Sequence, residues 1–150
     1  MINLDFSPEF RPIVSALLEA VPTLKITSGR RTLTSQLEAM LINEAQKPGY
    51  IAKTYIPTPI IKWLVKKVKQ DKNVKMTPAR RALGYTFDIE DKFSHADQQR
   101  LSRHITGDAC DFQPGTPAEE AAILKVLATM PPTKFLTREG GLSRWHIQSI

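Results

Sequence analysis

His104, Asp111 and His146 are the residues of this 150-residue chain whose types and order best suit chemistry. The first two lie in Ser102-Arg103-His104-Ile105-Thr106-Gly107-Asp108-Ala109-Cys110-Asp111, and the third in Arg144-Trp145-His146-Ile147-Gln148. Two imidazoles and one carboxylate are a common ligand set for catalytic zinc, which keeps its fourth position for water. If Ala109 to Phe112 is a strand, Ala109 and Asp111 face one side while Cys110 and Phe112 face the other. In the last segment Trp145 and Ile147 point away from His146 and into a core. Strands about 4.8 Å apart then allow His146 to lie beside Asp111, and a turn at Gly107 can fold His104 back toward it. On ligand type alone a second reading stands, in which the histidines are structural and Asp111 caps a turn before Pro114-Gly115. His95 belongs to that structural class.

The elements that must hold these residues follow from periodicity. Apolar Ile13, Val14, Leu17 and Leu18 predict a helix over Pro12 to Ala20, and Leu24 to Thr27 alternates as a strand ending at Ser28-Gly29. A second helix is expected from Thr34 to Gln46, stopped by Pro48-Gly49, with a proline-punctuated loop from Tyr55 to Pro59. Pro59 suits the first turn of a helix carrying Ile60, Ile61, Leu64 and Val68, in which Trp63 reads as packing. Asn73 to Asp91 is expected to hold an arginine-rich turn and a short strand, Gly84 to Ile89. Asp97 to Arg103 leads into the His104 segment. Thr116 is an N-cap for a helix from Pro117 to Met130 that Pro131-Pro132 ends. Lys134 to Arg138 and Arg144 to Ile150 read as two strands around a Glu139-Gly140-Gly141 turn. The fold class expected is α+β, a small antiparallel sheet flanked by helices in one domain spanning residues 1–150.

Composition limits the function classes. A single cysteine, Cys110, excludes an internal disulfide framework. The N-terminus lacks the basic start and apolar core of a signal peptide, and no apolar run approaches membrane-spanning length, so synthesis in a cytoplasm without membrane insertion is expected. The net charge of +6 favours anionic partners. Much of it lies in Lys62, Lys66, Lys67, Lys69, Lys72, Lys75, Arg80 and Arg81, which form either a solvated helix face and polar loop or a docking surface.

The run SRHITGDACDF fits S-x-H-x-x-G-x-A-x-D-(F/I/L), and Trp145-His146 follows near the C-terminus. With these motifs the chain resembles the zinc D-Ala-D-Ala carboxypeptidase and L-alanyl-D-glutamate endopeptidase family, which shares its core fold with the hedgehog signalling domain and includes phage endolysins. Ser102, His104, Gly107, Ala109 and Asp111 meet every fixed position. Upstream, Ile26-Thr27-Ser28-Gly29-Arg30-Arg31-Thr32 with Gln36 is similar to the family's S-G-x-R-(S/T) strand end and the glutamine after it. The three motifs occur in the family's order and cover about a quarter of the chain. The resemblance implies one Zn2+ on His104, Asp111 and His146. It also implies that Arg31 binds a substrate carboxylate or the polarised carbonyl, with Ser28, Gln36 and Ser102 on the substrate side. The expected substrate is a stem-peptide amide of peptidoglycan, reached by a monomeric phage enzyme after holin-type release or as part of a virion.

Two departures bear on this. Ser143 stands where the family commonly places a catalytic acid, three residues before the last ligand, and Arg144 where other members use a histidine. The nearest carboxylate, Glu139, is the expected general base, reached on its hairpin; its other reading is an exposed turn residue. The stretch between Arg31 and His104 is not covered by the motifs and is expected to shape a cleft or to meet an anionic wall or partner through residues 62–81. Three rivals follow: a zinc-binding relative that has lost catalysis, a basic nucleic-acid-binding protein, and a nucleophilic enzyme using Cys110. The last is disfavoured because Cys110 should face a core opposite Asp111.

Overall fold

A computed structural model of the chain describes residues 2–130, 133–137 and 145–149. These form an α+β structure with eight helices among the described residues and one four-stranded antiparallel sheet. The chain divides into two compact units, Met1–Arg30 with Thr106–Ile150, and Arg31–Ile105.

The first unit holds α1 (Arg11–Ala20), β1 (Lys25–Ser28), β2 (Ala109–Gln113), α8 (Pro117–Leu127), β3 (Thr133–Leu136) and β4 (Trp145–Ser149), with strand order β1-β2-β4-β3. Alternation along β2 and β4 sends Cys110, Phe112 and Ile147 into a core with Phe6, Phe10, Ile13, Leu17 and Ile123, against which Trp145 packs. α1 and α8 contact each other, contributing Ile13, Val14 and Leu17 from one and Ile123 and Leu127 from the other. Phe112 and Trp145 are directly paired across β2 and β4, their ring centroids 6.0 Å apart. Asp111 and His146 therefore stand on the opposite face of the same strands.

The second unit is helical: α2 (Leu33–Gln46), α3 (Tyr50–Thr54), α4 (Pro59–Gln70), α5 (Pro78–Lys92), α6 (His95–Gln99) and the start of α7 (Arg103–Thr106). Thr58-Pro59 and Thr77-Pro78 begin α4 and α5 in the same way, as Thr116-Pro117 begins α8: the threonine hydroxyl accepts from a backbone N–H of the first turn, and the proline occupies a position whose N–H has no helical acceptor. α5 packs against α2, and α3 bridges α2 and α4. Trp63 makes edge contacts with Tyr85 and Phe93, so it is a packing residue.

One expected element is corrected. Gly84 to Ile89 is part of α5, not a strand. The alternation of Tyr85, Phe87 and Ile89 suggested period two, but the buried positions are Ala82, Tyr85, Thr86 and Ile89, which is helical spacing, while Phe87 is exposed. The short helices α3 and α6 were not expected either; each has five residues, too few to show a period. The expected turn at Glu139-Gly140-Gly141 lies outside the described residues.

Candidate metal centre

β2 and β4 are adjacent, and their register sets Asp111 directly opposite His146. His146 Nδ1 lies 2.7 Å from Asp111 Oδ1, and its Nε2 lies 2.9 Å from Gln148 Oε1. Ser28, at the end of β1, pairs with Asp111 from the other side across an irregularity in register. Its hydroxyl is buried and has no hydrogen-bond partner among the described residues. Directly opposed residues of antiparallel strands share a face, so Ser28 offers a donor on the side of the sheet that carries Asp111.

His104 arrives on α7, a single helical turn, and the chain ties it to Asp111 across seven residues. The intervening turn is pinned to the N-terminal segment: Ser7 N donates to Gly107 O at 3.0 Å, and the Ser7 hydroxyl donates to Asp108 Oδ1. Thr106 Oγ1 donates to Asp108 Oδ2 at 2.6 Å, and Ser149 N donates to Asp108 O at 3.0 Å. Gly107 has φ +80°, in the left-handed region, and a Cβ there would lie 2.9 Å from Ser7 N. The glycine of the H-x-x-G-x-x-x-D spacing thus has a steric reason. Gly29 has another: a Cβ on it would meet Asn3 O at 2.0 Å, in a backbone approach sealed by the Arg30 N–H donating to Asn3 O.

His104, Asp111 and His146 are 3%, 2% and 7% exposed. Each offers one ligand atom, and these atoms all lie within 4.8 Å of one another. The group could hold a metal ion. Donors about 2.0–2.2 Å from a tetrahedral ion sit roughly 3.4 Å apart, a spacing between the 2.7 Å that separates His146 Nδ1 from Asp111 Oδ1 and the 4.8 Å within which the whole group lies. The donor set also fits, since two nitrogens and one carboxylate oxygen match the borderline-soft character of zinc and leave a position open.

The other residues expected at the site fall as follows. Arg31 N donates to His104 O at 2.9 Å, so the arginine motif and the first imidazole are joined through the backbone. Arg31 Nη1 donates to Gln36 Oε1 at 3.1 Å, and Gln36 Nε2 donates to the Tyr55 hydroxyl at 3.2 Å. Gln36 is fully buried, so its amide holds the Arg31 guanidinium. Ser102 Oγ accepts from His104 N at 3.2 Å and caps the turn that carries the histidine. Glu139, Ser143 and Arg144 lie outside the described residues. Gln148 and Tyr55 were not anticipated. Gln148 was legible as the residue two beyond His146 on the same strand face; nothing in the sequence marks Tyr55.

Cys110 is buried in the core of the first unit, on the face opposite Asp111. Burial, with a smaller contribution from the neighbouring Asp111 charge, pushes its thiol well above the ordinary range. It is therefore a packing residue held as the neutral thiol. At pH 8 iodoacetamide should alkylate Cys110 at least about a hundredfold more slowly in the folded chain than in denaturant; comparable rates by mass spectrometry would contradict this placement.

No family model, curated protein or solved structure matches this chain. No helix among the described residues is long and apolar enough to cross a membrane.

Proposed function

We propose that this chain is a zinc peptidase of the D-Ala-D-Ala carboxypeptidase and L-alanyl-D-glutamate endopeptidase type, with a hedgehog-like fold, that hydrolyses a stem-peptide amide of bacterial peptidoglycan. The observation that carries the reading is the buried His104–Asp111–His146 group, reached through motifs that occur in that family's order. A zinc ion there would supply a water made acidic enough to ionise near neutral pH and a Lewis acid for the amide carbonyl.

The protein's own side chains supply the rest. His104 and His146 are neutral donors and Asp111 brings one negative charge, so the site keeps a net positive charge when loaded and attracts an amide oxygen or a carboxylate. Arg31 provides a planar fork that pairs both oxygens of a stem-peptide carboxylate and stays charged throughout. Its tether to Gln36 and Tyr55 fixes the fork in advance, lowering the ordering cost of binding. Glu139 is the proposed proton carrier, taking a proton from water and passing it to the leaving amine. Arg31→Ala should lower turnover about a hundredfold while zinc content stays at one per chain. Loss of the metal in that variant would assign Arg31 a folding role instead.

Charge distribution supports a contact with an anionic wall polymer. Fourteen of the 21 Lys and Arg but only seven of the 15 Asp and Glu lie in Arg31–Ile105, giving that unit +7 of the chain's +6. On α4, Lys62, Lys66 and Lys69 form an exposed stripe at i, i+4 and i+7, opposite buried Ile60, Ile61 and Leu64. An enzyme made in a cytoplasm and acting on the wall in phage lysis, or carried in a virion, would use such a surface to concentrate on its polyanionic substrate.

A second reading is a zinc-binding domain of the same type that no longer cuts, favoured by Ser143 and Arg144 where an acid or histidine would stand. Mass spectrometry of purified peptidoglycan after incubation with zinc-loaded protein separates the two. A new stem-peptide fragment that is abolished by chelation supports the peptidase and identifies the bond. An unchanged digest from protein holding one zinc would replace it with the non-catalytic reading.

A further inference from the structure

His146 and Gln148 stand two residues apart on β4 and therefore share a face. β4 is paired on both edges, with Gln148 in register with Ala109 of β2 and Lys134 of β3, so the backbone that carries the amide is held from both sides. From that position Gln148 Oε1 reaches to 2.9 Å from His146 Nε2, while the other ring nitrogen, Nδ1, lies toward Asp111. Gln148 Oε1 and Asp111 Oδ1 are both acceptors, so each ring nitrogen faces one; an ion held between Nδ1 and Asp111 would take the place of a hydrogen on Nδ1 and leave the ring hydrogen on Nε2, toward Gln148. We infer that Gln148 is a positioning residue that accepts from His146 Nε2–H when an ion is bound and so holds Nδ1 as the ligand atom on the side of Asp111.

The inference rests on the metal reading above and adds the selection of one ring nitrogen. An imidazole has two chemically similar nitrogens, and the hydrogen bond made by one decides which is free to bind an ion. Without Gln148, the Nε2–H of the ion-bound ring would lose its acceptor, and the ring could rotate about its outer bonds. An acceptor at Nε2 also raises the donor strength of Nδ1. The strand geometry makes this economical: the same alternation that aims His146 at Asp111 delivers its orienting partner two residues later.

The test is Zn2+ affinity, by competition with a chromophoric chelator, for the wild-type chain, Gln148→Leu and Gln148→Glu, together with long-range 1H–15N spectra of the zinc-loaded wild type. Gln148→Leu should bind zinc about 10–100-fold more weakly, and Gln148→Glu, whose carboxylate also accepts from Nε2–H, should recover most of the loss. In the spectra His146 Nε2 should carry the proton. A purely structural glutamine would not show rescue by glutamate or a defined tautomer. Wild-type affinity in Gln148→Leu, or a proton on Nδ1, would overturn the inference alone, and failure of Gln148→Leu to fold leaves the spectra decisive. A wild-type chain that takes up no zinc would overturn the metal reading and this inference with it.

Discussion

His146→Ala is expected to lose its zinc and with it all measurable peptidase activity. The variant removes one of the three proposed ligands, and loss of a mere orienting partner already costs about 10–100-fold in metal affinity. Removal of the ligand itself should cost at least about a thousandfold, or roughly 4 kcal/mol. The substitution also leaves the Asp111 carboxylate, 2% exposed, without the imidazole that stands 2.7 Å from it. Breaking a buried pair by deleting one member is costly because the remaining group keeps its desolvation penalty. The variant should therefore unfold at lower temperature as well as bind less metal. Zinc content after dialysis, read beside a peptidoglycan digest, checks this. A variant that retains one zinc and full activity removes His146 from the ligand set, and His104→Ala and Asp111→Ala are subject to the same criterion.

Gly107→Ala should have a large effect although it touches none of the three candidate ligands. At φ +80° a Cβ costs about 1–2 kcal/mol. The new carbon would also lie 2.9 Å from Ser7 N and 3.2 Å from Asp5 O, both backbone atoms that cannot swing aside. A total of about 2–4 kcal/mol follows, equivalent to a fall of roughly 5–15 °C in the melting midpoint for a chain of this size. Because this turn lies between the two proposed ligands His104 and Asp111 in the chain, zinc affinity should fall in parallel. An unchanged melting curve would mean that the N-terminal segment yields easily and that the turn does not fix the site.

The legible part of this molecule was the part governed by short periods. Alternation along Ala109 to Phe112 and Trp145 to Ile147 placed Asp111 and His146 on one face and Cys110, Phe112 and Ile147 on the other, as the core shows. Helices α1, α2, α4 and α8 followed from apolar spacing and from proline and threonine at their starts. The illegible part depended on tertiary contacts. Tyr85-Thr86-Phe87 has the residue types of a strand, yet packing of α5 on α2, with Thr86 hydrogen-bonded to Thr34 at 2.7 Å, makes it helical. Gln36 looked like a residue that meets substrate, and its complete burial between Arg31 and Tyr55 emerges only once Tyr55, nineteen residues on, is brought beside it. Gln148 was legible only in its position, two residues beyond His146 on the same strand face; that its amide faces the ring comes from the folded strand.

Whether His104, Asp111 and His146 hold zinc can be read from X-ray absorption at the zinc edge of the reconstituted protein. The expected spectrum has a first shell of about four nitrogen and oxygen donors near 2.0–2.1 Å, with outer-shell scattering from two imidazoles and no sulfur. A sulfur shell near 2.3 Å would place the ion on Cys110, and a shell without imidazole scattering would place it elsewhere on the surface. Either result would contradict the site.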